Sequence, residues 1–205
     1  VRILVPLPDH DYYLWQALVH AVWARDHDWP VSYLVYHQGS PSPRLRRLAG
    51  AGLGDWHLWS DWRPSEAKSY NAAMKPWLVG KHLAAHPELV DESLLIVDPD
   101  CLPLRPWPLA VPGVLLGTDT DSYTGPAYLK AKGAWEPLCS LVGVHPDVAA
   151  TMPGMGAQYV TTGLSGAWWT GVAEQSVAAY RLMQGIPAPA GDPYPVQAWC
   201  AEMYV

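Results

Sequence analysis

Short apolar runs alternate with stretches of helical spacing through residues 1–100, and that alternation admits few architectures. Arg2-Ile-Leu-Val-Pro-Leu, Val31-Ser-Tyr-Leu-Val-Tyr and Leu94 to Val97 read as strands. Asp55-Trp-His-Leu-Trp-Ser, with its alternating aromatics, is expected to be another. Between them, Tyr13 to Arg25 carries Leu14, Leu18 and Val22 at helical spacing, and Pro43 to Ala51 reads as a short helix after the turn Gly39-Ser-Pro-Ser-Pro. Ser69 to Ala85 is expected to be helical, with Pro76 marking its start or a kink. Such alternation predicts an α/β domain whose mostly parallel sheet has helices on both faces. Ligands of these sheets bind at the carboxyl ends of the strands.

The second half is less regular. Val114-Leu-Leu-Gly is expected to be a strand, and Gly154 to Gly163 a glycine-rich loop running into a short strand. Ser165 to Met183 reads as a helix, Ile186 to Pro195 as a surface loop, and Val196 to Tyr204 as a return to order. No linker divides the chain, so residues 1–205 are expected to form one domain, with a boundary between two functional halves at 107/108.

The apolar run at Leu94 ends in Asp98-Pro-Asp100, two carboxylates one residue apart at an expected strand end. Hard oxygen ligands in that pattern suit Mg²⁺ or Mn²⁺, which keep positions open for substrate phosphates. Asp26-His-Asp28 and Asp119-Thr-Asp121 repeat the pattern, but neither follows a four-residue apolar strand in the middle of the α/β half; for Asp119 and Asp121 a solvated turn and a functional role both stay open. Glu202 stands in an apolar, aromatic segment, where a carboxylate needs a partner or a shifted pKa. A general base or a ligand for a sugar hydroxyl has that appearance, and so does a core ion pair. Asp9 and His10, in the loop after the first strand, are candidates for contact with a nucleotide. The remaining histidines show no tight ligand spacing and read as surface or core residues, and Arg44, Arg46 and Arg47 as a solvated helix face.

The net charge of −6 argues against non-specific nucleic-acid binding, which needs a basic face. Twelve Trp and 11 Tyr without any Phe favour aromatics with a polar edge, suited to stacking on sugars and bases, though any single Trp reads first as core packing. Three scattered cysteines, Cys101, Cys139 and Cys200, predict neither a disulfide framework nor a zinc site. A reducing, cytoplasmic setting is therefore expected, with no membrane segment in this chain. The chain lacks an initiator Met and stops after Glu202-Met-Tyr-Val, so both ends are expected to be trimmed.

Lys75-Pro76 with Trp77-Leu78, then Leu94-Leu-Ile-Val-Asp-Pro-Asp-Cys-Leu and Arg105-Pro106, resemble the "KP…WL…ILDADM…RP" pattern of glycosyltransferases with the A-type fold. Tyr12-Tyr13-Leu14-Trp15-Gln16, Gly156-Ala-Gln-Tyr-Val before Trp168-Trp169, and Ala198-Trp-Cys-Ala-Glu-Met-Tyr resemble the hydroxyproline O-arabinosyltransferase and peptidyl-serine galactosyltransferase group. The resemblance implies a single Rossmann-like A-type domain, a UDP-sugar donor, Mn²⁺ or Mg²⁺, and transfer, with retention favoured, to an acceptor hydroxyl. It places Asp98 and Asp100 at metal and diphosphate, Lys75 near the donor, Trp15 and Gln16 near the nucleotide, and Glu202 at the sugar or acceptor. Asp9 and Gln158 are counted with the donor-binding residues, and Gln158 stands where the group has a small residue or proline. Enzymes of this fold often take a further metal ligand, commonly His, from beyond this segment, so the resemblance implies either a ligand past Tyr204 or another group in its place. The expected acceptor is a peptide Ser or hydroxyproline, or a 5-hydroxymethylpyrimidine in DNA. A non-catalytic nucleotide- or sugar-binding module and a nucleotidyltransferase are the alternatives.

Overall fold

A computed structural model describes residues 1–61, 63, 65–68, 70–102 and 114–204, the side chains of Glu66 and Trp199 excepted. Ser69, Arg105, Pro106 and the expected 107/108 boundary lie outside them. Among the described residues the chain forms a six-stranded sheet of order β3-β2-β1-β4-β6-β5. Strands β1 (Arg2–Pro8), β2 (Val31–His37), β3 (Asp55–Ser60) and β4 (Leu94–Ile96) are mutually parallel. β6 (Met155–Thr161) runs antiparallel to both β4 and β5 (Leu116–Asp119), so the sheet is mixed but mostly parallel.

β1, β2 and β4 are covered on both sides, which is why their sequences read as continuous apolar runs. Ile3, Val5, Leu7, Tyr33 and Val35 pack under α1 (Asp11–Asp26) and α2 (Pro43–Ala49). Leu4, Leu34 and Ile96, offset by one residue, face α3 (Met74–Ala85), and Trp169 of α8 (Gly166–Gln184) joins them. A further core lies in the second half, beneath α5 (Pro126–Ala131), α6 (Trp135–Val142) and α8. Short helices α4 (Asp121–Thr124) and α7 (Pro146–Ala149) complete this region.

Several expectations need correction. The helix expected from Ser69 begins at Met74, after a 3₁₀ turn at Asn71–Ala73. Pro76 lies in its first turn, where a missing N–H costs nothing, so it marks a start and not a kink. β5 lies two residues beyond the expected strand; it is a largely exposed edge strand and lacks an apolar signature. The expected glycine-rich loop is mostly strand β6. Gly156 lies in close contact with the Met203 side chain, which a Cβ there would displace.

The order 3-2-1-4 places a switch point between β1 and β4, since the chain leaves β1 toward one sheet edge and returns on its other side. The two strands pair only from Arg2 to Leu4, so Pro6 needs no ladder partner on that side. Asp98 follows β4 at this crevice.

Helices α3 and α8 cross where Gly80 meets Gly166. A Cβ on Gly166 would lie 2.6 Å from the Gly80 carbonyl and 2.7 Å from the Ala84 backbone nitrogen. Backbone cannot yield as a side chain can, so Gly166→Ala is expected to destabilise by about 2 kcal/mol or more, outweighing at most ~1 kcal/mol of helix propensity. A Cβ at Gly171 of the same helix meets nothing within 4 Å. Gly171→Ala should therefore move the urea midpoint upward and Gly166→Ala downward, with unchanged slopes; shifts of the same sign would refute this account of the crossing.

Candidate functional site

Lys75 is the second residue of α3, and it is buried. A buried cation at the positive end of a helix needs strong compensation. Its Nζ lies 2.8 Å from Asp98 Oδ1 and donates over 2.8 Å to the Ala157 carbonyl. That carbonyl is aimed by an irregularity in β6: Gly117 pairs with Tyr159 but Thr118 with Gly156, which leaves Ala157 and Gln158 bulged. Ala157 takes φ of 61°, a costly conformation for a residue with a side chain.

Asp100, two residues past Asp98, is exposed. Cys101 Sγ lies 3.7 Å from its Oδ1 and accepts from Gln158 Nε2 at 3.4 Å. Thr118 Oγ1 donates to Gln158 Oε1 at 2.6 Å. Gln158 thus braces the turn that carries Asp100.

Glu202, in the 3₁₀ segment Ala198–Met203, is 8% exposed. Its carboxylate accepts from the hydroxyl of Tyr70, which in turn accepts from the Glu202 backbone N–H at 3.1 Å. Tyr70 stacks on Tyr180, which fixes the hydroxyl. Burial raises the Glu202 pKa; the Tyr70 hydrogen bond and the Lys75 charge oppose that rise, and the Asp98 charge adds to it.

Lys75 and Glu202 both line a cavity of about 450 Å³. Its other walls are mainly apolar, with Leu129, Trp135, Met152 and Trp168 among them. The helices that build much of it, between residues 121 and 149, are ones the sequence pattern does not reveal.

The structure therefore gathers Lys75, Asp98, Asp100, Gln158 and Glu202 around the carboxyl end of β4. The other three expected residues are placed differently. Asp9 accepts from the Ser42 backbone N–H and hydroxyl at 2.7 and 2.6 Å, so it anchors the start of α2. Trp15 is exposed on α1 and Gln16 is buried; among the described residues neither lines the cavity. His10 caps α1, its Nδ1 accepting the Tyr12 N–H. Asp119 accepts the Asp121 N–H in a turn, and Arg44 pairs with Asp11 at 3.3 Å.

Asp98 and Asp100 suit a divalent ion held by one or two carboxylates with water and substrate phosphate making up the rest. Asp100 has its carboxylate in solvent, while Asp98 already shares an oxygen with Lys75. Asp100 is thus the principal ligand candidate, and Lys75 supplies a fixed positive charge beside Asp98. Among the described residues no helix is long and apolar enough to cross a membrane. No protein-family model matches the chain, and no curated protein matches it.

Proposed function

We propose that the chain is a metal-dependent glycosyltransferase of the A-type class, moving a sugar from a UDP-sugar to an acceptor hydroxyl. The observation that carries this reading is the convergence of Lys75, Asp98, Asp100 and Glu202 at the switch point of a mostly parallel sheet, beside a cavity. Asp98 and Asp100 would hold Mn²⁺ or Mg²⁺, which when bound offsets charge on the departing diphosphate. Lys75 adds a cation that needs no recruitment, since Asp98 and Ala157 hold it in place. Glu202 faces the cavity and either accepts the acceptor proton or holds a sugar hydroxyl.

The apolar lining and the net charge of −6 favour a peptide acceptor, whose Ser or hydroxyproline carries little charge, over modified DNA. A non-catalytic nucleotide- or sugar-binding module is the second reading, favoured by the Lys75–Asp98 pair, which is complete without a metal.

The test is UDP release from a panel of UDP-sugars with Mn²⁺, followed by transfer of labelled sugar to hydroxyproline peptides and to hydroxymethylated DNA. Turnover that chelation abolishes and Mn²⁺ restores is expected, with label in the peptide. Label in DNA alone would reverse the acceptor assignment. UDP binding without turnover of any donor would favour the binding module.

A further inference from the structure

His57, His82 and His86 form a cluster separate from the carboxylates. His57 lies on β3, the outer strand, three strands from β4, a lateral distance of about 14 Å. His82 and His86 lie four residues apart at the end of α3, so they share one helix face. Leu34 of β2 pairs with His57, which therefore points to the same side of the sheet as Leu34, toward α3. The ligating atoms of the three rings all lie within 4.8 Å of one another. Ring centroids are 4.4 Å apart for His57 and His82, and 4.6 Å for His82 and His86.

His82 is 1% exposed, and among the described residues neither of its ring nitrogens has a hydrogen-bond partner. A buried imidazole with both nitrogens unsatisfied is costly, and an ion is one of the few groups that would satisfy it. Glu88 lies 3.3 Å from His86 Nδ1, leaving the other nitrogen for a metal, as carboxylates behind metal-bound histidines do. Arg2, the nearest cation on the strands, is neutralised by Asp55 at 3.5 Å and Glu92 at 3.4 Å.

We infer that His57, His82 and His86 form a binding site for a transition-metal ion of the Zn²⁺ class, tying the edge strand β3 to α3. Imidazole selects Zn²⁺, Co²⁺, Ni²⁺ or Cu²⁺ over the Mn²⁺ and Mg²⁺ that carboxylates prefer. Nitrogens ~2.0 Å from a tetrahedral ion lie about 3.3 Å from each other, so closing the site needs a contraction of at most ~1.5 Å. Water completes the shell. The ion would fasten a strand that has one neighbour in the sheet among the described residues, and an edge is where a sheet frays first.

The test uses the whole chain, stripped with chelator and titrated with Zn²⁺ by calorimetry and with Co²⁺ by absorption. One equivalent is expected to bind, with the visible bands of tetrahedral Co²⁺. Zn²⁺ at a hundredfold excess over its dissociation constant should raise the melting midpoint by about 5–10 °C. His82 is buried, so the variants are His86→Ala and His57→Gln, each first shown by its metal-free melt to be folded. Both should weaken Zn²⁺ binding at least tenfold, whereas Asp100→Ala should leave it unchanged. No saturable uptake by the wild-type chain, uptake that both histidine variants retain, or uptake lost with Asp100→Ala would each overturn the assignment.

Discussion

Asp100→Ala is expected to lower UDP-sugar turnover by two to three orders of magnitude while leaving the fold intact. The two halves of that expectation have separate causes. Removing the exposed carboxylate takes away a ligand of an ion whose stabilisation of departing charge is worth several kcal/mol, and ~3 kcal/mol is a factor of about 150. Among the described residues the same carboxylate has only a 3.7 Å thiol contact, so its loss should change stability by no more than about 0.5 kcal/mol. Asp98→Ala should behave differently. It leaves the buried Lys75 ammonium with the Ala157 carbonyl as its remaining partner among the described residues, and because Asp98 is itself about one-third exposed the cost is placed at ~1–3 kcal/mol. Steady-state kinetics beside urea melts would show Asp100→Ala inactive and stable, and Asp98→Ala inactive and weakened. Full turnover in Asp100→Ala would end the metal-dependent reading.

That separation also shows what the sequence could convey. β1, β2 and β4 were legible because burial on both faces turns a strand into an unbroken apolar run such as Ile3–Leu7. β5 was shifted because an exposed edge strand is held by main-chain hydrogen bonds that leave no apolar pattern. The helices between 121 and 149 span four to eight residues, too short for a 3.6-residue period to declare itself. At the site, Asp98, Asp100 and Glu202 are legible from residue type and position, and Lys75 only from the family resemblance. The partners that control them are not: Tyr70 reaches Glu202 across 132 residues, and Ala157 offers Lys75 a carbonyl because of a bulge. His82 and His86, four residues apart, read in the sequence as surface or core residues, because only the sheet brings the third ring, His57, to them.

Glu202→Gln is expected to give a protein at least as stable as the wild type at pH 8 and nearly inactive. Burial raises the folded-state pKa of Glu202 above its ordinary value of 4.5. Between 4.5 and the raised value the folded chain binds the proton more tightly than the unfolded chain, so wild-type stability falls as pH rises through that window. The glutamine side chain carries no charge to desolvate and still offers an oxygen to the Tyr70 hydroxyl, so that fall should disappear. Urea midpoints of the two proteins should therefore differ more at pH 8 than at pH 4, in favour of the variant. Turnover should move the other way, by a factor of about 10²–10⁴, the usual worth of a positioned acid or base. The acidic limb of the wild-type rate profile should lie above the ordinary carboxylate range, because the group must ionise against its burial before it can accept a proton. A variant that keeps turnover within threefold while losing the pH dependence of stability would leave Glu202 a buried structural carboxylate and take it out of the chemistry.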